Sequence, residues 1–315
     1  MAGSHKIYKG VYLMKFIMAY FVVAIHTTDW SLMGLLEIAV PYFFIASGFF
    51  LFRKLGGSRE EDLLVIRRWT FRVLKLYLVW TAVYLPFTVV GFLRDGLALE
   101  TSLMVFLRNF LFVGENYLSW PLWYLLALIW DGVLIYFMRW LRMPVWGMFL
   151  VGLGFYLSSF IFDIESIPYY AKLFQRTGNG LFFGLAFVTS GGIVWQLVSS
   201  DKADCPVLWD ILLTIALFVG FQFKHWLLLP LAVGVFLVSL RLSWSDNENT
   251  ARRLGAMSKT IYLTHMIFAG LLILLAHMSD SMGLFAASAF AATIIAFLFS
   301  GPWKGTKAAQ ILQLA

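Results

Sequence analysis

Charge is scarce in this chain: Asp, Glu, Lys and Arg make up only 13% of its 315 residues, about half of what a soluble domain carries. With 61% hydrophobic residues and a mean hydropathy of +0.82, that shortage excludes a soluble globular domain. Cysteine is scarcer still, and Cys205 alone excludes an internal disulfide framework and a metal-binding cysteine pair. There is no Gly-rich nucleotide loop, no zinc motif and no soluble extension large enough for a separate catalytic domain. Nothing in the opening MAGSHK reads as a cleavable signal, so the first span is expected to serve as its own insertion signal. What remains is an all-α polytopic integral membrane protein, with one membrane-embedded domain over 1–315, no metal and no nucleic-acid partner.

Apolar runs of spanning length fall at 11–30, 35–53, 72–93, 117–138, 144–162, 179–198, 207–223, 226–242, 260–277 and 283–301, a bundle of about ten transmembrane helices. The net charge of +7 is sorted by alternate loops. Of the 24 lysines and arginines, only Arg94, Arg108, Lys172, Arg176 and Lys224 fall on one side, Lys15 falls within a span, and the rest share the side of both termini. The positive-inside rule makes that richer side, and both termini, cytoplasmic.

The first span carries Lys15 and His26, and an ionisable group inside a bilayer is a functional-site hypothesis. Eleven residues are about three helical turns, so both side chains return to one face about 16 Å apart. Lys15 sits toward the cytoplasm and His26 toward the outer end, at the expected depth of Asp29 and Glu37. His26 is the candidate base, because imidazole titrates near physiological pH, with Asp29 or Glu37 to orient it. Ser47 and Gly48 are small residues in a wall of Phe, and Gly48 reads as a helix-packing glycine. Arg68, Arg72 and Lys75 share one face of a helix entering the membrane, suited either to anionic lipid headgroups or to a soluble polyphosphate. The stretch 94–116 reads as an outer interfacial piece. Trp120, Trp123 and Tyr124 open the next span at the outer interface, and Asp131 is expected to pair inside the bundle. Asn179 is a cap for the span that follows it, His225 and His277 read as interfacial, and Tyr262 and His265 share a face placed just inside the cytoplasmic half.

Lys15 and His26 with ten residues between them, PYFFIASGFF at 41–50, RRWTFR at 67–72, PLWYLLALI at 121–129 and IYLTHMIF at 261–268 together resemble the acyltransferase-3 family of integral membrane acyltransferases, across about residues 8–300. The resemblance implies a bacterial inner-membrane protein. It would take an acyl group, usually acetyl, from cytoplasmic acetyl-CoA or another acyl-CoA and place it on a hydroxyl of an extracytoplasmic glycan or glycolipid. It also implies that Lys15 and His26 stand for the family's Arg/Lys-x10-His motif and that Arg68 and Arg72 stand for its basic pair. Lys75, Lys15, Ser47, Tyr262 and His265 complete the expected donor site; Trp120, Trp123 and Tyr124 are the expected acceptor site. The chain departs from larger members in reaching only Asp131 after the Trp motif, where they carry an acidic pair, and in lacking their extracellular hydrolase-like domain. Membrane lipids are further partners, and the sequence leaves open whether copies of the chain assemble. The competing class is a transporter of an amino acid or other small solute.

Overall fold

The computed structural model describes residues 7–29, 34–200, 207–243 and 247–313; Lys6, Trp30, Lys202 and Cys205 lie outside the described residues. Among these, every regular element is helical. The helices are α1 (Lys9–Thr27), α2 (Ala39–Phe52), α3 (Arg59–Arg94), α4 (Leu99–Arg108), α5 (Leu122–Trp140), α6 (Val145–Ile161), α7 (Pro168–Phe174), α8 (Leu185–Ser199), α9 (Val207–Phe221), α10 (Leu228–Arg241), α11 (Glu248–Ala276), α12 (Met282–Ser300) and α13 (Lys307–Gln313). A 3-10 turn, Leu35–Ile38, precedes α2, and π-helical turns follow α4 at Asn109–Val113 and precede α8 at Gly180–Gly184.

Seven helices among the described residues are long and apolar enough to cross a membrane: Lys9–Thr27, Leu35–Phe52, Arg59–Arg94, Leu122–Trp140, Gly180–Ser199, Glu248–Ala276 and Met282–Ser300. Val145–Ile161, Asp210–Phe221 and His225–Arg241 are apolar but shorter, and they occupy the remaining three positions expected to span.

Helix ends differ from the apolar runs where polar chemistry extends or stops a helix. Ser58 caps α3 in a capping box with Glu61, and Glu60, Glu61 and Asp62 place negative charge in the first turn, where the helix dipole favours it. The helix therefore starts at Arg59 rather than 72, and its 36 residues extend about 54 Å, well beyond a hydrocarbon core of about 30 Å. Asn247 caps α11 by accepting from the backbone N–H of Asn249, so this helix starts at Glu248 rather than 260. In α1 the hydroxyls of Thr27 and Thr28 donate back to the carbonyls of Val23 and Ala24. Thr28 is extended, and the helix stops at Thr27 rather than 30. The expected cap at Asn179 is present, its side chain accepting from Phe182 N.

The helices form two compact units, Met1–Ala46 with Ala203–Thr306, and Ser47–Lys202 with Lys307–Ala315. In the first, α1 lies against α10, α11 and α12, and α9 lies against α10. The Tyr42 hydroxyl pairs with Ser239 at 2.7 Å and Tyr20 with Thr293 at 2.8 Å, satisfying groups that lipid would leave unpaired.

In the second unit α3 packs on α5, α6 on α8, and α13 returns to α3, where Trp80 Nε1 donates to the Leu312 carbonyl at 3.0 Å. Gly48 meets the backbone of α8 so closely that an added Cβ would collide with the Val188 carbonyl, which is the packing role its sequence context suggests. Because backbone cannot yield as a flexible side chain does, Gly48→Ala is expected to cost about 1–3 kcal/mol and to lower the melting temperature measured in detergent. An unchanged melt would show that this contact is loose.

Candidate functional site

The first unit gathers its chemistry where α1 meets α11. His265 is fully buried, and its Nδ1 lies 2.8 Å from the Tyr262 carbonyl and 3.2 Å from the Ile261 carbonyl. A carbonyl only accepts, so Nδ1 carries the hydrogen and Nε2 of the neutral ring is left as the acceptor. Nε2 is buried and has no hydrogen-bond partner among the described residues. On the neighbouring helix, the half-buried ring of His26 stacks on His265, with centroids 5.5 Å apart and planes 20° from parallel. The ring of Tyr262 stands edgewise to His265 at 6.3 Å, and Phe43 stands edgewise to Tyr262 at 5.5 Å. A carbonyl pair below and an aromatic wall beside thus fix the orientation of one imidazole against the other.

The two rings lie side by side and so share a depth, whereas the sequence context sets them at opposite ends of their spans. Because α11 starts at Glu248, His265 lies seventeen residues, about 26 Å, along that helix. Lys15 and His26 do lie in one unbroken helix, so their separation of about 16 Å along the axis holds. Lys15 makes no ion pair among the described residues. Asp29 lies beyond the end of α1 and is exposed, and Glu37 is exposed in the 3-10 turn. Neither carboxylate makes an ion pair among the described residues.

In the second unit Ser47 and Tyr124, expected in different subsites, are joined by a 2.9 Å hydroxyl pair. Trp120 is 40% exposed. Trp123 lies under the Arg176 guanidinium at 5.7 Å and edgewise to Phe183 at 6.1 Å. Asp131 is fully buried, and neither carboxylate oxygen has a hydrogen-bond partner among the described residues. The expectation that it pairs inside the bundle is thus not met among the described residues.

The basic face of α3 is intact: Arg68, Arg72 and Lys75 are all exposed. Burial, and next the charges of Arg72 and Arg53, hold the Lys54 ammonium below its ordinary value. Sequence reading missed the lock that fixes this end of the unit. Asp62, 2% exposed, accepts from Gly56 N at 3.0 Å and Gly57 N at 3.3 Å through Oδ1. Through Oδ2 it accepts from Arg139 Nε at 2.9 Å and from the Arg139 terminal nitrogen at 2.5 Å. The signal available was Asp62 in the first turn of a capped helix, but nothing local names its partner 77 residues away.

A family model described as an acyltransferase domain, Acyl_transf_3, matches residues 8–301. Three curated relatives are similar to the chain. The serine/alanine racemase of Enterococcus gallinarum is 28% identical over 301 residues, covering 82% of this chain and 40% of that protein. An amino-acid racemase of Enterococcus faecalis is 27% identical over 209 residues, covering 59% of this chain and 28% of its own length. Another from the same organism is 23% identical over 294 residues, covering 81% and 40%. The chain thus spans two fifths or less of each of these relatives. No solved structure matches it.

Proposed function

The chain belongs to the acyltransferase-3 family, and from that premise we propose that it is a membrane O-acyltransferase moving an acyl group, usually acetyl, from acyl-CoA to a hydroxyl of a glycan or glycolipid. In this reading the seven long helices and the three short apolar ones all cross a bacterial inner membrane, with both termini cytoplasmic as the charge sorting favours.

The observation that supports the chemistry most is the stacked pair His26–His265, whose His26 lies on the helix with the Lys-x10-His spacing. His26 takes the proton of the acceptor hydroxyl as its oxygen attacks the thioester carbonyl. The carbon–sulfur bond then breaks, and the CoA thiolate leaves with the proton returned from the imidazolium. His265, with Nδ1 committed to backbone carbonyls, acts as the fixed ring against which His26 is oriented. A two-step route fits the same geometry: His26 takes the acyl group as the CoA thiolate leaves, and the acceptor hydroxyl then attacks the acyl carbon and frees the imidazole, its proton passing to the ring. Arg68, Arg72 and Lys75 are assigned to the donor phosphates, and Lys15 to the donor side of α1. Trp120, Trp123 and Tyr124 are assigned to the acceptor.

The test is incorporation of label from acetyl-CoA into the glycan or lipid fraction of membranes carrying the protein. Incorporation above that of membranes without it supports the reading, and none with any acyl-CoA overturns it. Arg68→Glu with Arg72→Glu is expected to raise the acyl-CoA concentration needed by at least tenfold, more at low salt than at high. An unchanged acyl-CoA requirement would instead favour lipid headgroups as their partners.

One observation favours a second reading: the curated relatives are named as racemases of amino acids. Under it, the shared segment handles a free amino acid at the membrane. Uptake of labelled serine or alanine into vesicles without acyl-CoA, beside no acyl transfer, would select it.

A further inference from the structure

One buried ionisable group of the second unit has no part in the reaction described above. Asp131 is fully buried, and neither of its carboxylate oxygens has a hydrogen-bond partner among the described residues. Its helix α5 has nineteen residues, Leu122–Trp140, so Asp131 lies about 14 Å from either end, in the middle of a helix long and apolar enough to cross a membrane. We propose that Asp131 is a proton-binding site at the centre of the second unit, its carboxyl held there as a neutral acid.

The surroundings carry the argument. Asp131 shares a buried stripe of α5 with Tyr124, Leu128, Ile135 and Met138, the positions three, four and seven residues away that lie on one face. An ionised carboxylate with neither a cation nor a donor is among the most destabilising groups that an apolar interior can hold, and a bound proton removes the charge.

The other charged and titratable groups nearby are engaged or turned away. Helix α5 packs on α3 and on the π-helical turns at 109–113 and 180–184, and those turns carry no ionisable side chain. On α3, Arg67, Arg68, Arg72 and Lys75 are exposed. Tyr77 donates to the Phe110 carbonyl, Tyr84 packs on Trp80, and Arg59 lies over Trp140 at the far end of α5. Against Gly132, beside Asp131, α3 presents Thr70, whose hydroxyl donates to the Ile66 carbonyl at 3.0 Å. On α5 itself Tyr124 pairs with Ser47, and Arg139, eight residues or about 12 Å away, pairs with Asp62.

Asp62 supplies the contrast within the same two helices. It is nearly as buried as Asp131, but Gly56, Gly57 and Arg139 all donate to it, so protein groups compensate its charge. An inorganic monovalent cation would compete with the proton for Asp131, yet the nearest side chains of the stripe, Leu128 and Ile135, add no oxygen to hold one.

The test is labelling of the purified full chain in detergent with dicyclohexylcarbodiimide, an apolar reagent, beside a water-soluble carbodiimide. A protonated carboxyl adds across one C=N bond, its proton going to nitrogen and its oxygen to the central carbon. The acyl group then migrates to nitrogen as a stable N-acylurea, and nothing else is consumed. Peptide mass spectrometry is expected to find the apolar reagent on Asp131 about tenfold or more above Asp62, and the water-soluble reagent on neither. Asp131→Asn should lose the adduct and Asp131→Glu should keep it; should either variant fail to fold, the wild-type peptides decide alone. No adduct on Asp131, or equal adducts on Asp131 and Asp62, overturns the proposal. So does equal labelling of Asp131 by the water-soluble reagent, which would mean that water already reaches the carboxyl. An adduct abolished by sodium chloride but not by choline chloride would overturn it too, and make the site one for sodium. Acyl transfer is measured separately, so this site does not depend on the acyltransferase reading.

Discussion

Replacing His26 with alanine is expected to lower acyl transfer by about 10²–10⁴-fold, the range that a positioned general base contributes, with acyl-CoA binding nearly unchanged. The loss belongs in kcat because the ring acts on the hydroxyl proton, which matters only as the oxygen attacks. His26→Gln should be as damaging: it keeps size and a hydrogen-bonding group but cannot accept a proton at neutral pH. His265 separates chemistry from positioning. His265→Phe keeps a flat ring stacked against His26 while removing the Nδ1 contacts to the Ile261 and Tyr262 carbonyls. A positioning role predicts a roughly tenfold loss together with a displaced pH–rate profile, since the ring facing His26 has changed its polarity. Full transfer by folded His26→Ala and His26→Gln proteins would sink the assignment.

The helix content and the Lys15–His26 spacing were legible because each is a local property. Apolar runs mark spans, and two residues eleven apart in an unbroken helix keep their relation whatever surrounds them. The ends of helices were less legible, since polar turns that continue a helix outside the hydrocarbon leave no mark in hydropathy. The early starts of α3 and α11 both come from capping side chains, Ser58 and Asn247. The partnership of His265 with His26 was hidden as well, because a contact between two helices far apart in sequence leaves no local mark. Asp29 is three residues from His26, but the helix stops at Thr27 and Asp29 lies beyond it. Long-range pairings such as Asp62–Arg139 and Ser47–Tyr124 are settled by tertiary packing, and no spacing rule reaches them. Asp131 shows the converse, for a buried carboxyl is readable from sequence but the lack of a partner is not.

Asp62→Ala is expected to destabilise the second unit by about 2–3 kcal/mol. Removing one member of a buried ion pair costs about 3–5 kcal/mol when the other is stranded. Arg139, however, keeps 30% of its side chain in contact with solvent, and water recovers part of that loss. The remaining cost has two sources, the Arg139 guanidinium without its carboxylate and the Gly56 and Gly57 N–H groups without an acceptor. They can be separated. Asp62→Asn keeps an acceptor for the glycines and loses the charge, so it should cost less than the alanine variant. Adding Arg139→Leu to Asp62→Ala removes the stranded cation, so the double variant should be more stable than the sum of the single ones by about 1–2 kcal/mol. Thermal melts of the four proteins in one detergent give the cycle. Strict additivity would mean that the pair does not hold the fold, and that the 53–58 connection is kept in place by the Ser58 cap alone.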